Sequence, residues 1–187
     1  MKVKSFWIIF LVVGIALFPG CEEDTSPLKH SEGTNLVQNP SFEENGEPSL
    51  DSWYVEDSSQ ITFSMDTPPN GGKWSIFLHA VHYGPMPESP AYYIPLSPGN
   101  HVIKFSVYGK YFAIPGSALL IVQQDSIREV ASELVITDSV WTEYVTVDTV
   151  SLSEGDSLYI LLYGGGTEVI DGITYFDLVK LILLDEE

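Results

Sequence analysis

The run HVIKFSVYG at residues 101–109 alternates apolar and polar side chains with a period of two: Ile103, Phe105 and Val107 point one way, Lys104, Ser106 and Tyr108 the other. That period suits a half-buried β-strand and excludes an amphipathic helix, whose apolar positions recur roughly every 3.6 residues. The same spacing returns at 61–65, 74–83, 91–96, 118–124, 129–136, 141–150, 157–164 and 173–184. The runs are separated by PPNGG, YGPMPESP, SPGN, IPGS, SEGD and GGGTEVIDG, most of which carry the Gly, Pro or Asn that a tight turn needs. Many short strands joined by turns, with no capped helical period between them, predict an all-β sandwich or barrel. Residues 35–187 are enough to bury one core and read as one domain.

The residues before that domain have a different character. Lys2 and Lys4 precede an apolar run from Phe6 to Phe18, which is too short for a membrane span of about 20 residues, so residues 1–20 read as a secretion signal. Cys21, the sole cysteine, follows directly and can form no intramolecular disulfide. Its setting resembles the lipobox of bacterial lipoproteins, which implies lipidation at Cys21 and anchoring without a spanning helix. Residues 21–34 are rich in charge, Ser, Pro and Gly and read as an acidic flexible tether. Acidic residues beside the cysteine resemble the export signals of surface lipoproteins. That resemblance implies a lipid-anchored place in the bacterial cell envelope, at the outer membrane or cell surface.

Charge narrows the partners. The chain holds 26 acidic against eight basic residues, a net charge of −18, and loss of Lys2 and Lys4 with the signal makes it more negative. Nucleic acid and anionic lipid surfaces are disfavoured, and a neutral ligand is favoured over an anionic one.

NLVQNPSFEENG with Trp53 behind it, then GGKWSIFL, YYIPLSPGNHVIKFSVYGK, VWTEYVTVDTV and ITYFDLVKL follow one another in an order and spacing that resemble the galactose-binding-like jelly rolls, especially carbohydrate-binding modules of the family 4, 9 and 22 type. The resemblance implies a jelly-roll β-sandwich of two antiparallel sheets, with Trp53 as a core residue. It also implies a structural Ca²⁺ ion held by Glu43 and Asp177, with the backbone carbonyl of Lys73 as a third ligand, since calcium takes hard oxygen donors. Leu178 stands where the family often has a second acidic residue.

Glycan binding uses aromatic faces against the C–H side of sugar rings, with polar groups nearby for the hydroxyls. The proline-stiffened stretch HAVHYGPMPESPAYY and the strands after it offer Tyr83, Tyr92, Tyr108, Tyr111, Gln123 and Tyr163 as ligand-binding candidates, while Trp141 reads as a packing residue. Catalysis has no support in the residues. There is no Glu-x-Asp-x-x-Glu run to deliver two carboxylates across a cleft and no G-x-S-x-G elbow. The expected function is a membrane-anchored, non-catalytic carbohydrate-binding lipoprotein, with a neutral polysaccharide as the ligand that its acidic charge favours. The alternative is an envelope structural or protein-interaction lipoprotein that uses the jelly roll as a scaffold for a protein partner.

Overall fold

The computed structural model describes residues 33–56, 58–80, 90–166 and 172–184. The order is β1 (Glu43–Glu44), β2 (Glu47–Pro48), a single 3₁₀ turn (Ser58–Gln60), β3 (Ile61–Ser64), β4 (Ser75–Ala80), β5 (Ala91–Ile94), β6 (Gly99–Phe112), β7 (Ser117–Gln124), β8 (Ile127–Val135), β9 (Thr142–Leu152), β10 (Ser157–Tyr163) and β11 (Gly172–Leu183). The alternating runs in the sequence all became strands within a few residues. β1 and β2 form a small hairpin; the other strands build a five-stranded sheet in the order β3-β4-β11-β6-β9 and a four-stranded sheet in the order β5-β10-β7-β8. Every pairing is antiparallel.

Pleating explains how the two sheets close on each other. In β6, Ile103, Phe105 and Val107 are fully buried, and in β10 Leu158, Ile160 and Leu162 oppose them from the other sheet. Phe42, Trp53 and Tyr92 cap this core at one end, with ring centroids 5.0 Å apart for Phe42 and Trp53 and 5.4 Å for Trp53 and Tyr92. Trp53 is thus a core residue, as its place in the motif implied.

Residues 35–40, ahead of the first hairpin, form no regular strand. They make one isolated bridge, Asn35 to Ile182, and two further backbone bonds to the last strand, Leu36 N–H to the Leu181 carbonyl and Val179 N–H to the Pro40 carbonyl. Asn35 extends the joint: its Oδ1 accepts from Leu181 N–H (3.0 Å) and its Nδ2 donates to the Val179 carbonyl (3.3 Å). The beginning and end of the domain are therefore stitched together, chiefly at β11.

Candidate functional site

Residues expected to converge on a ligand are dispersed by the fold. Tyr92 is a correction: it is 5% exposed, and its hydroxyl accepts from Gln38 N–H (2.9 Å) and donates to the Leu36 carbonyl (3.2 Å). Pairing with Ile160 sets it on the inner face of the four-stranded sheet, and its exposed neighbour Tyr93 takes the outer one. Tyr111 shares the inward parity of β6 and packs against the core margin. Gln123 and Tyr163 lie on the outer face of the four-stranded sheet, Gln123 donating to the Asp125 carbonyl within its own turn (2.9 Å). Tyr108 lies on the outer face of the other sheet, with its hydroxyl 3.5 Å from Glu143 Oε2. These positions form no single groove. Tyr83 and Cys21 lie outside the described residues.

A different set does converge. With Ile76 and Leu78 in the core, strict alternation turns Phe77 and His79 of β4 to the outer face of the five-stranded sheet. Register then lines up one cross-strand row: Thr62 opposite Phe77, Phe77 opposite Tyr175, and Tyr175 opposite Lys110, with Trp141 beside Lys110 just ahead of β9. Phe77 and Tyr175 are 5.0 Å apart between ring centroids, as are Phe77 and His79. Trp141 stands edge-on to Tyr175 at 6.0 Å. The Lys110 ammonium sits 4.7 Å from the Tyr175 ring centre and 5.2 Å from that of Trp141, within cation–π range.

Asp66 locks this cluster. Its carboxylate pairs with Lys110 and accepts from Trp141 Nε1 (2.9 Å), while its carbonyl accepts from Ser75 Oγ (2.7 Å). The hydrogen bond from Lys110, and then that from Trp141, holds the Asp66 carboxyl below its ordinary range. Burial, helped by the Asp66 charge, raises the Tyr175 phenol, which therefore stays protonated as a donor at neutral pH. Trp141, expected to pack, is instead part of an outward platform. The alternation around Ile76 and Leu78 did signal Phe77 and His79, but no local pattern tied Lys110, Asp66 and Trp141 to them.

Asp66 belongs to a strap, residues 65–73, that crosses the same sheet face. A Cβ on Gly71 would collide with Asp177 Oδ2 and with Pro68, and one on Gly72 would collide with the Glu43 carboxylate. Only glycine lets the strap approach both acids so closely, and at Gly72 φ is +75°, which glycine also favours. Asp177 is fully buried. Its Oδ1 accepts from Leu178 N–H (2.7 Å), and its Oδ2 is buried with no hydrogen-bond partner. Burial, opposed by the Leu178 N–H and aided by the Glu43 charge, pushes its carboxyl up to about 8. Leu178 adopts φ +49° at a β-bulge, where the register slips between Asp177 and Lys180.

An orphaned carboxylate oxygen beside a second acid, in a cradle that a Cβ would fill, fits a small cation with oxygen preference. Glu43 and Asp177 are the side chains that would hold it. Among the described residues no group of three His, Cys, Asp or Glu side chains is arranged for a metal, so calcium would complete its shell with backbone carbonyls and water. Lys73 meets Glu43 through its N–H, which donates to Oε2 (2.8 Å) together with Trp74 N–H (3.1 Å).

No family model matches the chain. No curated protein matches it either. Solved structures do resemble it. The CBM22-1 xylan-binding domain of Xyn10C from Paenibacillus barcinonensis superposes with a TM-score of 0.54 at 16% identity, over 83% of this chain and 98% of that one. A family 16 carbohydrate-binding module superposes with a TM-score of 0.53 at 18% identity, over 79% of this chain and 99% of that one. The fold is thus a jelly-roll β-sandwich of the kind found in carbohydrate-binding modules.

Proposed function

We propose that this chain is a lipid-anchored, non-catalytic glycan-binding protein that holds a polysaccharide on the outer face of its five-stranded sheet. The observation that carries the reading is the row Phe77, Tyr175, Lys110 and Trp141, locked by Asp66. Ring faces there can stack against the C–H side of pyranose units, and His79, Lys110 and Asp66 can exchange hydrogen bonds with sugar hydroxyls. The kinship in fold to a xylan-binding domain supports the glycan class. Calcium between Glu43 and Asp177 is part of the proposal: it would neutralise the buried acids and fix the strap that carries Asp66. Anchoring rests on the signal and on Cys21, and the non-catalytic reading on the lack of a glycosidase carboxylate motif in the sequence.

Isothermal titration of the full-length chain, in a detergent without a sugar headgroup, against neutral and acidic polysaccharides tests the reading. Binding to at least one is expected, weakened about tenfold, or ~1.4 kcal/mol, by Trp141→Ala. Flat traces throughout would remove the proposal.

A second reading has its own observation. On the outer face of the four-stranded sheet, Ala91, Leu119, Ile121, Tyr159 and Leu161 form an apolar cluster bordered by exposed Tyr93, Val130 and Val135. Such a border suits a protein partner in the envelope. Cross-linking in cells that captures one partner, lost in a Val130→Asp, Val135→Asp variant, would favour this scaffold role.

A further inference from the structure

Five of the eight basic residues fall within the described residues: Lys73, Lys104, Lys110, Arg128 and Lys180. Three of them, Lys104, Lys110 and Lys180, lie on the outer face of the five-stranded sheet, an uneven distribution for so acidic a chain. Asp66 neutralises Lys110. Lys104 and Lys180 have no carboxylate in ion-pair reach among the described residues.

These two lysines are neighbours. Lys104 lies opposite Ile182 and Lys180 opposite Ser106, a diagonal placement that sets the two residues roughly 7–8 Å apart. Two lysine side chains rooted that close on one face can bring both ammonium groups to a single anion, which also offsets their mutual repulsion. Next to them on β9, Val145 opposite Ser106 and Val147 opposite Lys104 are 46% and 55% exposed on the same face. Lys104 and Lys110 are six positions apart along β6, roughly 20 Å, so an extended chain resting on Trp141 and Tyr175 reaches the lysine pair along this strand.

We infer that the Lys104 and Lys180 ammonium groups, flanked by Val145 and Val147, form a subsite for a negatively charged substituent, carboxylate or sulfate, on the bound glycan. The inference rests on the glycan-binding reading and narrows it to anionic polysaccharides. It reverses the preference for neutral ligands that whole-chain charge suggested. Exposed carboxylates more than about 8–10 Å away are screened at physiological salt, whereas two lysines touching the substituent are not. The sugar ring divides the contacts: its charged group meets the lysines, and its C–H face covers the valines.

Titration of the full-length chain with polygalacturonate, dextran sulfate, xylan and galactan, at low and physiological salt, decides the matter. Tighter binding of polygalacturonate or dextran sulfate than of either neutral polymer is expected, and which of the two wins separates carboxylate from sulfate. That binding should weaken with salt and fall about tenfold in Lys104→Gln, Lys180→Gln, while Trp141→Ala weakens it as well. Equal or tighter binding of xylan or galactan, or an unchanged affinity in the double variant, overturns the subsite and leaves the glycan reading standing. Absence of binding to all four polymers overturns both. The salt dependence of the unmodified protein is a readout that needs no variant to fold.

Discussion

Asn39 shows how much one side chain can organise here. Its backbone is left-handed at φ +49°, a conformation asparagine tolerates better than most residues. Nδ2 donates to the carbonyls of Ser49 (3.0 Å) and Asp51 (3.3 Å), and Oδ1 accepts from Glu43 N–H (2.9 Å). Its carbonyl also receives Trp53 Nε1 (3.1 Å), so the loop that presents Glu43 is closed around a single residue. Asn39→Ala removes three side-chain bonds and puts a Cβ residue without polar compensation at positive φ. We expect a loss of ~2–3 kcal/mol in urea unfolding, with Asn39→Gly falling between wild type and alanine because it keeps the backbone geometry. Wild-type stability in the alanine variant would show that the loop is held by other contacts. In the sequence, the asparagines of NLVQNPSFEENG enter only through the order of the motifs. Their bonds join residues up to 146 positions apart, as from Asn35 to Leu181, and no local pattern encodes them.

At the level of elements, strands and turns were legible because alternation and turn chemistry are local properties. The facing of adjacent aromatic residues was less so. AYYI offers two tyrosines of equal hydrophobicity, and only the register against β10 decides that Tyr92 enters the core while Tyr93 stays exposed. The outward side of Trp141 is hidden from the sequence for a related reason: it depends on Thr142 pairing with Gly109, a contact between distant strands. The strap shows the same limit, since PPNGG announced a turn but not its path over Asp177. Gly71 tests that path. Gly71→Ala forces backbone or acid to move at a site where Asp177 is fully buried, and a loss of about 2–4 kcal/mol in thermal unfolding is expected. Because Asp66 lies in the same strap, affinity for the proposed glycan should fall together with stability, read out by isothermal titration. A variant that unfolds like wild type would mean that the strap does not press on the acid.

Across the whole molecule, the two ends of the domain meet twice, once through Asn35 and β11 and once through Glu43 and Asp177, and the second junction is sensitive to protons. In the metal-free protein the Asp177 carboxyl titrates at about 8 when folded and near its ordinary value of 3.8 when unfolded. Between those limits the folded state holds a proton that the unfolded state releases. Stability from this group is therefore fully present below the unfolded pKa and is lost as pH rises toward 8, at no more than about 1.4 kcal/mol per pH unit. A divalent cation in the proposed Glu43–Asp177 site would reverse the preference, because it favours the carboxylate, so calcium should then stabilise the protein more at pH 8 than at pH 5. Melting curves in chelator and in millimolar calcium at both pH values measure this directly. Asp177→Asn cannot titrate, and it should flatten the pH dependence in chelator and reduce the calcium response. If the variant keeps the wild-type slope, the pH dependence belongs to other carboxylates and the junction does not work as described.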